Sequence, residues 1–220
     1  MKNTLFRIFY LIKQGELNFI IRGILKRCFS KNYAFGLKRD LNLEFPVPEA
    51  QLDIIIRQYK DKDAPYFSKD LQNDGLIEKQ IPRCYVATTI EDQPCFRQWI
   101  ISAQYDDKIK DFWKGLFPVL RQDEMLLEGG FTVSHMRKKG IMPAAITKIL
   151  DIENLPGRRW VITFVGVDNV PSLKGIHRSG FLPYLLRIEK WFLFRRTIIF
   201  KDIPTEFMNT YHKNIGLAIK

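Results

Sequence analysis

Residues 124–150, EMLLEGGFTVSHMRKKGIMPAAITKIL, constrain the fold more than any other stretch of the chain. Met125 to Val133 is an apolar run carrying Phe131 and Val133, and it reads as a buried strand. Gly129 and Gly130 interrupt it. Paired glycines inside a strand indicate a bulge, or a place where another backbone or a ligand comes close. Arg137, Lys138, Lys139 and Gly140 then form a short basic loop. Pro143 suits the first turn of a following helix, where its missing N–H would have no partner anyway. Ile146, Ile149 and Leu150 give that helix one apolar face. Strand, basic glycine loop and helix in succession can bind an anion. The first helical amides have no partner within the helix. The helix dipole adds roughly 0.3–1 kcal/mol for negative charge. Gly140 lets backbone and ligand approach closely, and the cations add long-range attraction. The implied ligand is a phosphate or pyrophosphate. The same residues read equally well as a basic turn between a strand and a helix.

The rest of the chain sets the context. At 220 residues it can bury one sizeable core and carry an appended arm. With 46% hydrophobic and 27% charged residues it is of globular composition, and no run approaches the roughly 20 apolar residues of a transmembrane helix. Cys28, Cys84 and Cys95 show neither paired nor metal-like spacing, which points to a reducing, cytoplasmic compartment. His135, His177 and His212 lie far apart and form no metal-ligand motif, so no metal is expected.

The net charge of +11 is uneven: residues 1–39 hold nine basic side chains against Glu16 alone, a balance of +8 that leaves +3 for the rest. In this segment Leu5, Phe6, Ile8, Phe9, Leu11 and Ile12, then Ile20, Ile21, Ile24 and Leu25, are mixed with the basic residues, and Gly15 separates two expected helices. Such an amphipathic arm has two readings. The favoured one docks it on the body, or on the second subunit of a homodimer. The rival lays it peripherally on an anionic membrane, gaining about 1 kcal/mol per Lys or Arg. Nucleic acid ranks third, because the basic residues alternate with aliphatics that call for burial and no nucleic-acid-binding motif is present. Pro46 and Pro48 mark an extended link, giving an arm and linker over residues 1–48 and a body over 49–220.

Within the body, residues 52–58 read as a strand, 61–76 as partly helical, and 83–89 with 95–102 as a hairpin around Glu91–Pro94. A helix over 107–120 leads into the central strand, loop and helix over 143–154. Trp160 to Val167 is apolar without alternation, as in strands covered on both faces. With the preceding strand and helix it forms a right-handed parallel crossover. A helix from Pro171 to Gly180 and strands over 184–194 and 196–203 complete an α/β order with a mixed sheet.

Two segments resemble the GNAT superfamily of acyl-CoA-dependent N-acyltransferases: Phe131 to Ile141, FTVSHMRKKGI, and Asp168 to Phe181, DNVPSLKGIHRSGF. They stand in the family's order with a buried strand between them, and the strand order over about residues 50–200 matches too. The resemblance implies a GNAT-like α/β fold: a mixed, mostly antiparallel twisted sheet with a central parallel β-α-β crossover and flanking helices, here with an N-terminal helical arm. It implies acetyl-CoA or another acyl-CoA as co-substrate, its pyrophosphate held by the backbone of Arg137, Lys138, Lys139, Gly140, Ile141 and Met142. The last position is small in the family, and a methionine there would narrow the loop. The pantetheine arm falls on Thr132 and Val133, and Asn169 matches the polar position beyond the next strand. The acceptor amine needs a base, for which Glu128 is the first candidate and Glu124 and His135 are weaker. The tyrosine that often protonates the thiolate is Ile176 here, leaving Ser172 or water. The implied activity is acyl transfer to a small-molecule primary amine, an amino sugar or aminoacyl compound, as in members linked to surface-polysaccharide biosynthesis. The alternatives are a catalytically inactive GNAT-fold binding or scaffold protein, and a membrane-surface acyltransferase with a lipid-linked acceptor.

Overall fold

The structure is a computed structural model that describes residues 12, 13, 15, 17–70, 73–154 and 156–217. The first expected helix of the arm lies almost wholly outside these residues. In chain order the elements are α1 (Leu17–Cys28), β1 (Phe29–Asp40), β2 (Ile55–Gln58), a 3-10 segment (Asp61–Phe67), α2 (Asp74–Glu78), β3 (Cys84–Thr88), β4 (Pro94–Ser102) and α3 (Asp106–Trp113). There follow β5 (Glu124–Thr132), a 3-10 turn (Ser134–Met136), α4 (Ile141–Glu153), β6 (Trp160–Gly166), α5 (Val170–Arg178), β7 (Leu182–Phe192), β8 (Arg195–Lys201) and α6 (Thr205–Ile215). The strands form one eight-stranded sheet in the order β2-β3-β4-β5-β6-β1-β7-β8. Among the described residues β5–β6 is its one parallel pair, and α4 is the crossover.

Alternation along the strands gives the sheet two buried faces. Met125, Leu127, Val161, Phe35 and Leu186 pack on one face with Ile146, Ile149 and Leu150 of α4, Leu173 and Ile176 of α5 and Tyr211 of α6. Leu126, Trp99, Ile162 and Phe164 pack on the other with Leu76, Ile109 and Phe117. The far end of α4 is anchored by Glu153, which accepts hydrogen bonds from Arg83 and the Tyr85 hydroxyl at 2.6 Å and also pairs with Arg158.

The division expected at residue 48 is corrected by β1. This strand lies inside the sheet, with Ala34–Asp40 paired to β6 and Phe29–Lys38 paired to β7. The basic residues of FSKNYAFGLKRD disguise a central strand whose Phe35 and Leu37 are fully buried. Gly36 fits there because a Cβ would fall 2.6 Å from Leu185 and 3.0 Å from Phe164. Among the described residues, docking of the arm is therefore a matter of α1. Its last carbonyls, on Arg27 and Cys28, accept from the Phe194 and Leu193 amides at 2.8 and 2.9 Å, and Lys26 pairs with Glu189. The C-terminal helix α6, absent from the sequence reading, covers β1 through Phe207 on Tyr33 and Tyr211 on Phe35.

Candidate active site

The parallel register of β5 and β6 stops at Leu126↔Ile162, although the strands run on to Thr132 and Gly166. Beyond that point, among the described residues, β5 pairs only with β4, and β6 only with β1. A gap opens between them, flanked by α4 on one face.

The glycines found in the sequence form a bulge at this opening. The β4–β5 register shifts opposite Gln98, whose side-chain amide donates to Glu128 O at 2.6 Å and Trp99 O at 3.1 Å. Gly129 has φ +71°, and a Cβ there would lie 2.7 Å from the Trp99 ring. Past the bulge, Val133 N–H donates to Cys95 O, so this residue spends its amide on β4. Thr132 faces its backbone the other way, into the gap. Its carbonyl accepts from Arg137 Nε at 3.2 Å.

The basic loop follows. Lys138 has φ +65° and Gly140 φ +72°, a succession of left-handed residues that turns amides to one side as an anion-binding concavity. Among the described residues, the N–H groups of Lys138, Lys139, Gly140, Ile141 and Met142 find no protein acceptor. The close approach that Gly140 permits is made by the chain's own backbone at the start of the body. A Cβ there would sit 2.6 Å from Glu49 O, and Gln51 N–H donates to Lys139 O at 2.9 Å. Glu49 to Gln51, directly after the Pro46–Pro48 link, thus brace the loop. Met142 does not crowd it: its thioether lies against Gly175 of α5, where an added Cβ would be 3.0 Å from Sδ. These orphaned amides, with Arg137, Lys138 and Lys139 beside them, fit a pyrophosphate.

Glu128 points to the face opposite α4 and α5, that of Leu126. Burial pushes its carboxyl up to about 7, against the pull of the Arg187 guanidinium and the Gly129 amide. Arg187 was missed in the sequence. Its one signal there is a cation inside an apolar strand, YLLRIEKW. It lies over the Phe164 and Phe117 rings at 4.9 and 5.5 Å and donates to Leu116 O. It also lines a cleft of about 570 Å³ with Lys26, Asn32, Glu189, Asp168 and Asn169. A second cleft, near Arg39, Phe45 and Asp151, lies by the other end of α4, away from the loop.

The remaining candidates are placed as follows. Asn169 caps α5, its side chain accepting from Ser172 N–H at 3.3 Å, and it borders the cleft. The Ser172 side chain is half-buried in the first turn of α5, on the α4 side of the sheet. Ile176 is buried in the core. Glu124 is spent on Arg121, and His135 is exposed.

No protein-family model matches the chain, and no curated protein matches it. Solved structures do. A GCN5-related N-acetyltransferase from Sphaerobacter thermophilus aligns with a TM-score of 0.54 at 13% identity, over 84% of this chain and 57% of its own. The fold is that of the GNAT acetyltransferases. A glucosamine N-acetyltransferase region of a fungal multi-domain GH3 β-N-acetylglucosaminidase aligns with a TM-score of 0.52 at 12% identity, over 81% of this chain and 23% of that one. A tandem GNAT protein from the clavulanic acid biosynthesis pathway gives 0.50 at 13% identity, over 80% and 55%. The chain thus spans a little over half the length of the first and third of these proteins, and less than a quarter of the second.

Proposed function

We propose that the protein is an N-acyltransferase that moves an acyl group, in the first instance acetyl, from acyl-CoA to a small primary amine. The observation that carries this reading is the splayed β5–β6 gap, with partnerless amides on one face and the raised Glu128 carboxyl on the other. Lys138, Lys139, Gly140, Ile141 and Met142 would hold the pyrophosphate through their N–H groups, and Arg137, Lys138 and Lys139 would supply charge. Releasing Arg137 from Thr132 O would free that carbonyl for the pantetheine arm. Bound acyl-CoA supplies the activated acyl group. Glu128 takes the proton from the amine, which reaches it from the Arg187 cleft. A base of pKa near 7 is matched to that work. On α5 the buried Ile176 offers no proton, which leaves the Ser172 hydroxyl or water. An amino sugar is one candidate acceptor, supported by the glucosamine specificity named for the fungal neighbour. Met142, seated on Gly175, gives no support to an inactive scaffold.

The test is thiol release from acetyl-CoA across a panel of primary amines, with and without Glu128→Gln. Turnover with at least one amine, cut by roughly 10²–10⁴ in the variant, is the expected result. Thiol release that is absent for every amine, or unchanged in the variant, removes the reading.

A further inference from the structure

The side of α1 turned away from the sheet carries an apolar stripe. Leu17, Ile21, Ile24 and Leu25 recur at helical spacing and are all exposed, at 45–62% of their surface. At about 100° per residue they cover one narrow sector, with Arg22 and Arg27 on its two flanks and Lys26 on the opposite side, where it meets Glu189. The stripe continues beyond the helix. Phe29 and Phe192 face each other across the β1–β7 pairing and are 79% and 62% exposed. Next to them, Leu193 and Phe194 form the two-residue turn between β7 and β8, also 66% and 59% exposed, and their amides bond the end of α1.

This turn is chemically unusual. Leu193 has φ +45° and Phe194 φ +64°, the left-handed pair that a two-residue hairpin needs and that Asn-Gly normally supplies. Two bulky apolar residues accept this strain without burying their side chains, so folding does not explain them. Charge points to the partner. Residues 17–31 and 190–196 contain Arg22, Lys26, Arg27, Lys31, Lys190, Arg195 and Arg196 and no acidic residue. Lys26 and Arg196 are paired with Glu189. A second copy of the chain would set this cationic surface against itself.

We propose that α1 and the β7–β8 turn form one attachment surface for an anionic lipid bilayer, with the apolar stripe at the acyl-chain boundary and the basic flanks at the headgroups. The cleft beside Arg187 is lined by Lys31 and by Lys26 from the opposite side of α1, so attachment would hold that cleft about one helix diameter from the bilayer. The proposal does not depend on the acyltransferase reading.

The full chain is tested by co-sedimentation with vesicles of phosphatidylcholine containing 30% phosphatidylglycerol, and with pure phosphatidylcholine. The key variant is L193N/F194G, which suits the backbone of the turn and therefore keeps the fold; its thermal midpoint is measured alongside. Expected are binding to the anionic vesicles at least tenfold stronger than to neutral ones, and at least fivefold weaker binding by the variant at an unlowered midpoint. No binding to anionic vesicles overturns the proposal, as does binding unchanged in the variant. A concentration-dependent dimer in light scattering that the variant abolishes also overturns it, in favour of a subunit interface.

Discussion

Glu128 lies two residues past the last parallel pair of the sheet, and its environment makes two measurable statements. Only the ionised form can accept a proton from the amine. Turnover should therefore rise with pH through about 7 and level off above it, a rise absent from whatever activity Glu128→Gln retains. The same shift bears on stability. The folded pKa is raised from 4.5 to about 7, so between those values the folded state keeps a proton that the unfolded state has released. The associated stability is present below pH 4.5 and is lost as pH rises through 7. Glu128→Gln should then raise the unfolding free energy at pH 8 by on the order of 3 kcal/mol and change it little at pH 4. Urea titrations at the two pH values check this. A second residue-scale statement concerns Arg97, 1% exposed, which bonds Asp70 at 2.8 Å and lies 4.7 Å from the Phe67 and Trp99 ring centres. Asp70→Ala leaves that guanidinium buried and unpaired, at an expected cost of about 3–5 kcal/mol in the same titration.

At the scale of elements, the contact between α4 and α5 decides whether the loop keeps its shape. The sequence marks Met142 as too large for its position, yet Gly175 on α5 provides the space. Gly175→Val should push on the Met142 thioether and, through it, on the first turn of α4. The expected result is a loss of about 1–3 kcal/mol of stability and a raised KM for acetyl-CoA. Met142→Ala in the same chain should restore both, and steady-state kinetics with thermal unfolding will read them. This pairing explains why the site was only partly legible. The bulge at Gly129–Gly130, the buried strand Trp160–Gly166 and the basic loop before α4 are local patterns that the chain displays openly. That Met142 meets Gly175, that Glu49 closes on Gly140, and that Arg187 stands near Glu128 depend on elements far apart in sequence, and no local spacing encodes them.

At the scale of the molecule, the N-terminal segment is where composition misled. Its basic residues suggest an appendage, yet β1 carries Phe35 and Leu37 into the core and joins β6 to β7. A chain beginning at residue 49 would lose the strand between them, and should show no cooperative thermal transition in circular dichroism. A sharp transition would mean that the sheet closes without β1. The alternation of Tyr33, Phe35 and Leu37 was visible, but lysine and arginine beside it masked a strand whose neighbours come from the other end of the chain.

The central claim is that the amides at the start of α4 hold the donor. The most direct test is a ¹H–¹⁵N NMR titration of the full chain with acetyl-CoA. Saturable shifts concentrated at Lys138–Met142 and at Thr132 are the predicted result. Saturation without change at those amides, or no shift anywhere in the spectrum, would contradict it.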